Sequence, residues 1–199
     1  MTQWVDEPSG GRTRGPRAVA RAWVEVLVRP RRFFATGVAP GDQGPGFVFT
    51  VWVAAVAVGS HLVLVPAARP WATGGPVVSG LLVTAALALL VAPLALHLVA
   101  AVETVALLLL GDEHGSVSET VQVLAYATAP CVLAGVPVPA VVLAATAYGA
   151  GLLVLGTATV HDLSVPRATA VAALPAVLVF GFGYRGLAAA ADLAAAGGL

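Results

Sequence analysis

Two ionisable residues, His97 and Glu103, lie inside the longest apolar run of the chain, residues 76–110. An ionisable side chain within a membrane-spanning segment is costly, and it commonly marks an ion or substrate pathway or a proton relay. The two residues are six positions apart, which separates them by about 120° around an α-helix. We therefore expect that they cannot face one site together.

The four histidines give no metal-binding spacing in the sequence. A His-x-x-x-His or Glu-x-x-His pair is absent, and Cys131 is the single cysteine, so neither an internal disulfide nor a thiol-rich metal site can form. Convergence in the tertiary structure is the remaining route to a metal site. We expect instead that the histidines hydrogen-bond between helices or lie at the membrane interface. The sequence predicts no cofactor.

The usual catalytic motifs are also missing. No serine stands in a Gly-x-Ser-x-Gly context, and the chain has no lysine, which excludes a phosphate-binding loop that ends in Gly-Lys. Asp112, Glu113 and Glu119 fall in the polar stretch GDEHGSVSE, which is typical of a solvated loop. We therefore predict a protein without enzymatic activity.

Composition indicates where these residues must be placed. Hydrophobic residues make up 59% of the 199-residue chain and charged residues 10%, and the mean hydropathy is +0.93. A soluble domain of this size needs far more charge to cover its surface. Ten basic and ten acidic residues cancel, which argues against nucleic acid as a partner. The lipid bilayer is the expected partner of most of the chain.

The first 46 residues are the polar portion of the chain. Residues 1–15 have no apolar period and are predicted to be a disordered cytoplasmic N-terminus. Residues 16–46 are predicted to form an amphipathic helix and a linker, with Val19, Trp23, Val26 and Leu27 on one face. We favour a helix that lies in the membrane interface, and packing on a soluble partner is the alternative.

The stretch VRPRRFF at residues 28–34 resembles a twin-arginine export signal. The residues that follow, ATGVAPGDQGPG, separate the arginines from the apolar run and contain several helix breakers. This spacing does not suit a cleavable signal. We interpret the stretch as an interfacial anchor in which Pro30 ends the helix and the phenylalanines dip into the interface. Its members are Arg29, Pro30, Arg31, Arg32, Phe33 and Phe34.

The remainder predicts an all-α bundle of five membrane-spanning helices over residues 47–185, followed by a short C-terminal tail, residues 186–199, that could extend the last helix. Ser116 and Glu119 have the spacing of a capping box before the third span, and Pro130 is expected to break that span. We favour one helix kinked at Pro93 for the second span, and two short spans are the alternative. Ser164 is a candidate cap for the last span. The predicted spans are 47–65, 76–110, 117–136, 140–160 and 168–184.

The distribution of arginine predicts the orientation. With the N-terminus inside, eight arginines, including Arg167, lie on the cytoplasmic side and only Arg69 and Arg185 lie outside. This bias predicts a multi-pass protein of the cell membrane with a cytoplasmic N-terminus and an external C-terminus.

Four stretches in order resemble the Yip family, integral membrane proteins named for their interaction with Ypt/Rab GTPases. They are VLVRPRRFF, LALHLVA around His97, the segment SVSETVQVLAYATAPCVLAGVP with Tyr126 and Pro130, and HDLSVPRATA with His161 and Arg167. The resemblance covers residues 20–185 and implies a five-helix fold, a cytoplasmic N-terminus and no known catalysis. By its short N-terminus and its Arg-Pro-x-x-Phe-Phe entry the chain resembles the prokaryotic members more than the eukaryotic ones. Those members have no established role with GTPases, so the resemblance does not imply a GTPase partner.

These observations lead to a non-enzymatic membrane scaffold that binds a partner through its cytoplasmic face. Tyr126 and Pro130 are expected to shape the third span. Small residues four apart, Ala145 with Gly149 and Ala147 with Gly151, allow close packing within the bundle or in a homo-oligomer. The alternative function is a small-solute or ion transporter that uses His97, Glu103 and the kink at Pro93.

Overall fold

The structure is a computed structural model that describes residues 15–71, 74–110 and 116–197. The predicted disorder of the N-terminus and the loop residues Asp112, Glu113 and His114 lie outside the described residues. Every regular element in the described part of the chain is helical, which confirms the predicted all-α class. The helices are α1 (Pro16–Val28), α2 (Pro30–Gly37), α3 (Gly44–Leu64), α4 (Gly75–Leu110), α5 (Val117–Ala127), α6 (Pro139–Val160), α7 (Val165–Gly183) and α8 (Gly186–Ala196).

Four of these helices, α3, α4, α6 and α7, are long and apolar enough to cross a membrane. Helix α5 and the 3₁₀ segment Ala129–Gly135, which meet at an angle of 46°, are together apolar enough to count as a fifth, broken span. This break falls at Pro130, as predicted, because proline has no N–H to donate to the preceding turn. The described chain therefore contains four candidate spans, or five with the bent pair, in agreement with the predicted helical membrane bundle.

Helix α4 is continuous over 36 residues, a length of about 54 Å. The turn Leu87–Val91 ahead of Pro93 is a π-helix, in which the N–H of Ala92 donates to the carbonyl of Leu87. This wider turn is the structural adjustment next to the proline, whose ring would clash with a carbonyl of a regular α-helix. The single-helix interpretation of residues 76–110 is confirmed.

The helix ends define two faces of the bundle. The face that we call the first contains the helix ends at Gly44, Leu110, Val117, Val160 and Val165. The opposite face, called the second, contains the ends at Leu64, Gly75, Gly135, Pro139 and Gly183. Close contacts between different helices show that the ends assigned to one face lie near one another. Gly46 lies against Gln122 near the first face, and Gly135 lies against Ala57 and Ser60 near the second.

Helix α5 is the centre of the bundle, since every residue from 120 to 131 is buried. It begins at the predicted place, with Ser116 as N-cap, but the predicted capping box does not form because the Ser116 side chain makes no cap hydrogen bond. The N–H groups of Glu119 and Thr120 donate to the backbone carbonyl of Ser116 instead. Surrounding helices rather than a side-chain cap hold this end.

The C-terminal segment does not extend the last span. Arg185 adopts a left-handed conformation with φ 65°, which ends α7 and reverses the chain. Helix α8 then packs on α6 and on the end of α7, and it buries Gly186 and Ala189. This close packing requires glycine at position 186, because a Cβ there would come within 2.6 Å of the Phe180 carbonyl oxygen.

Candidate functional site

Helix α1 is held against the side of the bundle. The indole N–H of Trp23 donates to the carbonyl of Ala129 at 2.8 Å, and the hydroxyl of Tyr148 donates to the carbonyl of Leu27 at 2.6 Å. Both carbonyls stand at interruptions of regular helix, where the backbone leaves acceptors free. Ala18, Ala22 and Val26 form the buried face of α1, and the predicted members Val19, Trp23 and Leu27 flank it.

The anchor stretch continues as a second helix rather than a linker. Pro30 stands in the first turn of α2, where its fixed φ favours the helix and its missing N–H costs nothing. Phe33 and Phe34 are each 1% exposed. The interpretation that they dip into the membrane interface is therefore wrong, because the bundle itself supplies their apolar surroundings.

Tyr126 is the centre of the aromatic cluster that receives these phenylalanines. Its ring lies 4.8 Å from that of Phe33 and 5.2 Å from that of Phe49, both in edge-to-face geometry. Phe34 packs edge-on against Phe33 with centroids 5.8 Å apart and reaches Gly156 of α6, where a Cβ would come within 2.9 Å of its ring. Aromatic pairs of this geometry add about 0.5–1.5 kcal/mol beyond their burial. Tyr126 thus joins α2, α3 and α5.

A buried glutamine fixes the chain between α2 and α3. The N–H of Ala39 donates to Gln122 Oε1 at 3.1 Å, and Gln122 Nε2 donates back to the carbonyl of Ala39 at 2.7 Å. One turn earlier, the N–H of Gly41 donates to Ser118 Oγ at 3.0 Å. Sequence reasoning missed Gln122. The signal was the i, i+4 pair Ser118 and Gln122 in the polar first half of a helix whose second half, residues 123–127, is apolar apart from Tyr126.

The arginines of the anchor face outward. Arg29, Arg31 and Arg32 are exposed, and the phenylalanines next to them in sequence are held in the core. The first face therefore carries a basic surface, defined here as Arg29, Arg31 and Arg32, on a helix that the bundle holds in place. Arg167 lies in the first turn of α7 on the same face.

Glu103 is fully buried and lies near the first face. Thr157 Oγ1 of α6 donates to Glu103 Oε1 at 2.6 Å, whereas Glu103 Oε2 has no hydrogen-bond partner among the described residues. His161 follows Thr157 by one turn, and both of its ring nitrogens are buried without a partner in the described part of the chain. Burial lowers the pKa of His161, which keeps its ring neutral near pH 7.

His97 does not join this group. Its side chain is exposed, and its Nδ1 lies 2.7 Å from the carbonyl oxygen of Pro93 on its own helix. The expectation that His97 and Glu103 cannot face one site is therefore met by the geometry. Within the described residues, no three His, Cys, Asp or Glu side chains form a group that could hold a metal ion. Cys131 is buried and free.

The fold thus defines a polytopic helical membrane protein whose N-terminal helices are packed into a five-span bundle. The family model described as the Yip1 domain matches residues 24–184. This chain belongs to the Yip1 domain family, and the matched region contains the anchor stretch, the central helix α5 and the last span. No curated protein and no solved structure matched the chain.

Proposed function

We propose that this Yip1-domain protein is a non-enzymatic membrane scaffold that binds a partner membrane protein through its first face. The observation that carries the proposal is the division of one short stretch, with Phe33 and Phe34 in the core and Arg29, Arg31 and Arg32 exposed beside them. A cation on a preorganised helix loses little freedom when it binds an acidic surface. The proposed partner therefore carries acidic residues close to the membrane.

The proposed location is the cell membrane, with the first face in the cytoplasm. Of the eight described arginines, the three of the basic surface and Arg167 belong to the first face, Arg69 and Arg185 belong to the second, and Arg17 and Arg21 lie on α1. Positively charged residues are retained on the cytoplasmic side during insertion. We propose accordingly that the C-terminal helix α8 lies outside, because five proposed spans separate the two ends.

Site-specific photo-crosslinking tests the scaffold proposal. A photoreactive residue replaces Arg31 in the full chain in cells, and the control replaces Arg69 on the second face. We expect one discrete crosslinked membrane protein from position 31 only, and we expect the Arg29→Gln, Arg32→Gln double variant to weaken it at equal expression. Identical crosslinks from both positions, or none from position 31, would contradict the proposal.

A transport function is the second candidate, and the buried carboxylate of Glu103 favours it. An acid inside a span whose second oxygen lacks a partner among the described residues can bind a cation or a proton. The exposed His97 is not close to the buried polar residues around Glu103. The proposed pathway therefore consists of Glu103, Thr157 and His161 only. Cation or proton flux into proteoliposomes that is lost on Glu103→Gln, but kept on His97→Gln, would support transport over the scaffold.

We also propose that the chain forms a homo-oligomer, because one pair of small residues on α6, Ala147 with Gly151, is exposed on the surface of the bundle. Gly149 packs against Phe180 inside the bundle, whereas a Cβ on Gly151 would meet nothing within 4 Å. The variant Gly151→Leu is expected to weaken a dimer in a crosslinking assay and to leave the fold intact. Unchanged dimerisation would exclude this stripe as the contact.

A further inference from the structure

A cavity of about 550 Å³ lies between α3, α4, α5 with its 3₁₀ segment, and α7. Its size falls within the range of about 300–1,000 Å³ that small-molecule sites occupy. The wall is almost entirely aliphatic, and the exceptions among the lining residues are Thr50, His61, Thr128, Tyr184 and Arg185.

Both π-helical turns of the protein's described part border this one cavity. Leu87 and Val91 belong to the π turn of α4, and Leu178 and Val179 belong to the π turn at the end of α7. A π turn weakens regular hydrogen bonding and is frequently found at functional sites. Each turn lies close to a proline, since the first ends two residues before Pro93 and the second begins two residues after Pro175. The two turns are contributed by two different helices of the cavity wall, α4 and α7.

The cavity opens in two directions. Arg185 and Ala68 are exposed lining residues at the second face, whereas Val91 and Leu178 are exposed along the sides of α4 and α7. The sides of spanning helices face the hydrocarbon of the bilayer. A chain can therefore enter laterally while its polar end stays at the second face.

Arg185 is the one arginine among the residues that line the cavity, and it lies at the polar end of the cavity, at the second face. Arg185 Nη1 lies 3.1 Å from His61 Nε2 and 3.4 Å from His61 Nδ1, and a guanidinium has four further N–H donors beyond any one that the ring accepts. The lining residues include no carboxylate. The left-handed backbone at Arg185 sets this side chain at the turn between α7 and α8. The mouth thus complements an anion.

We propose that this cavity binds one acyl chain of an anionic phospholipid, whose phosphate group pairs with Arg185. An empty apolar space forfeits dispersion contacts, and the surrounding lipid is the apolar material at hand. Aliphatic walls select the chain, and the guanidinium selects the charge of the headgroup. This site is on the opposite face from the proposed partner surface and does not depend on it.

Native mass spectrometry of the purified full chain tests the proposal. The protein in mild detergent is titrated with phosphatidylglycerol or with phosphatidylcholine of the same chains. We expect phosphatidylglycerol to be retained preferentially, with Arg185→Gln lowering its affinity about tenfold. Arg185→Lys should retain part of the preference. The control Arg69→Gln removes a cation from the same face and should bind as the wild type does.

A second variant tests the cavity itself. Ala95→Phe places a ring in the cavity wall and is expected to lower retention of both lipids, while Arg185→Gln lowers only the anionic one. Thermal stabilisation of the wild type by each lipid provides a readout that needs no variant. Equal retention of both lipids by the wild type, no effect of Ala95→Phe, or equal stabilisation by inorganic phosphate alone would each overturn the proposal.

Discussion

The bundle has one part around Tyr126 that is filled with large side chains and another part that encloses a cavity reaching from the second face to Thr50 and Leu124. We call these two parts the first half and the second half. Tyr126, Phe33, Phe34 and Phe49 are buried together in the first half, and Gln122 ties the backbone to them. The second half is bordered by small and aliphatic residues on two π-helical turns. The difference indicates that one half fixes the shape of the protein and the other leaves space for a ligand.

The largest expected effect comes from emptying the filled half. Phe34→Ala removes a ring that is 1% exposed, and we expect it to lower the free energy of unfolding by about 3–5 kcal/mol. Reversible denaturant unfolding in detergent measures the change. The control Val28→Ala trims a side chain that is 69% exposed and should stay within about 0.5 kcal/mol of the wild type.

The same substitution at two places on α4 compares the halves directly. Ala100 is fully buried, so Ala100→Phe overpacks its surroundings and should cost about 1–3 kcal/mol or prevent folding. Ala95 lines the cavity, and Ala95→Phe should leave stability almost unchanged. Thermal unfolding of both variants is the measurement. Equal losses at the two positions would show that the second half is packed as tightly as the first.

The polar clamp at Gln122 should have a somewhat smaller effect. Gln122→Ala leaves the N–H and the carbonyl of Ala39 without the side-chain partners they have now. An unsatisfied buried polar group costs about 1–3 kcal/mol, and water at the first face will relieve part of it. Hydrogen exchange at residues 38–43 should accelerate. Thr36→Ala, which removes only a local bond to the Arg32 carbonyl, should not accelerate exchange there.

The smallest expected effect is a pH dependence near the first face. Burial lowers the pKa of His161 in the folded protein, so the unfolded chain binds the proton more readily. Stability should therefore be lost as the pH falls through the ordinary histidine pKa of about 6.5. Denaturation midpoints of wild type and His161→Gln between pH 5 and pH 8 measure it, and parallel curves would contradict the assignment.

Much of the helical architecture follows from the sequence because hydropathy and proline report local properties. The five spans, the single helix through Pro93 and the break at Pro130 were all predicted. The separate positions of His97 and Glu103 followed from helical geometry alone. These features depend on residues close together in the chain.

The burial of Phe33 and Phe34 could not be predicted in the same way. Aromatic residues beside arginine are typical of a membrane interface, and only the distant Tyr126 and Gly156 show that a protein pocket receives them. Gln122 and the Thr157 contact with Glu103 are likewise pairings between elements far apart in sequence. The cavity arises from five separate elements, α3, α4, α5, its 3₁₀ segment and α7, and has no local signature.

Cysteine accessibility at the anchor stretch tests the central claim most directly. The single cysteine is removed by Cys131→Ala, and a cysteine is introduced by Arg31→Cys or by Phe34→Cys in the full chain. A membrane-impermeant maleimide should label position 31 of the detergent-solubilised native protein within minutes, and it should label position 34 only after denaturation. Equal labelling of both positions in the native protein would contradict a basic surface held in place by a buried aromatic anchor.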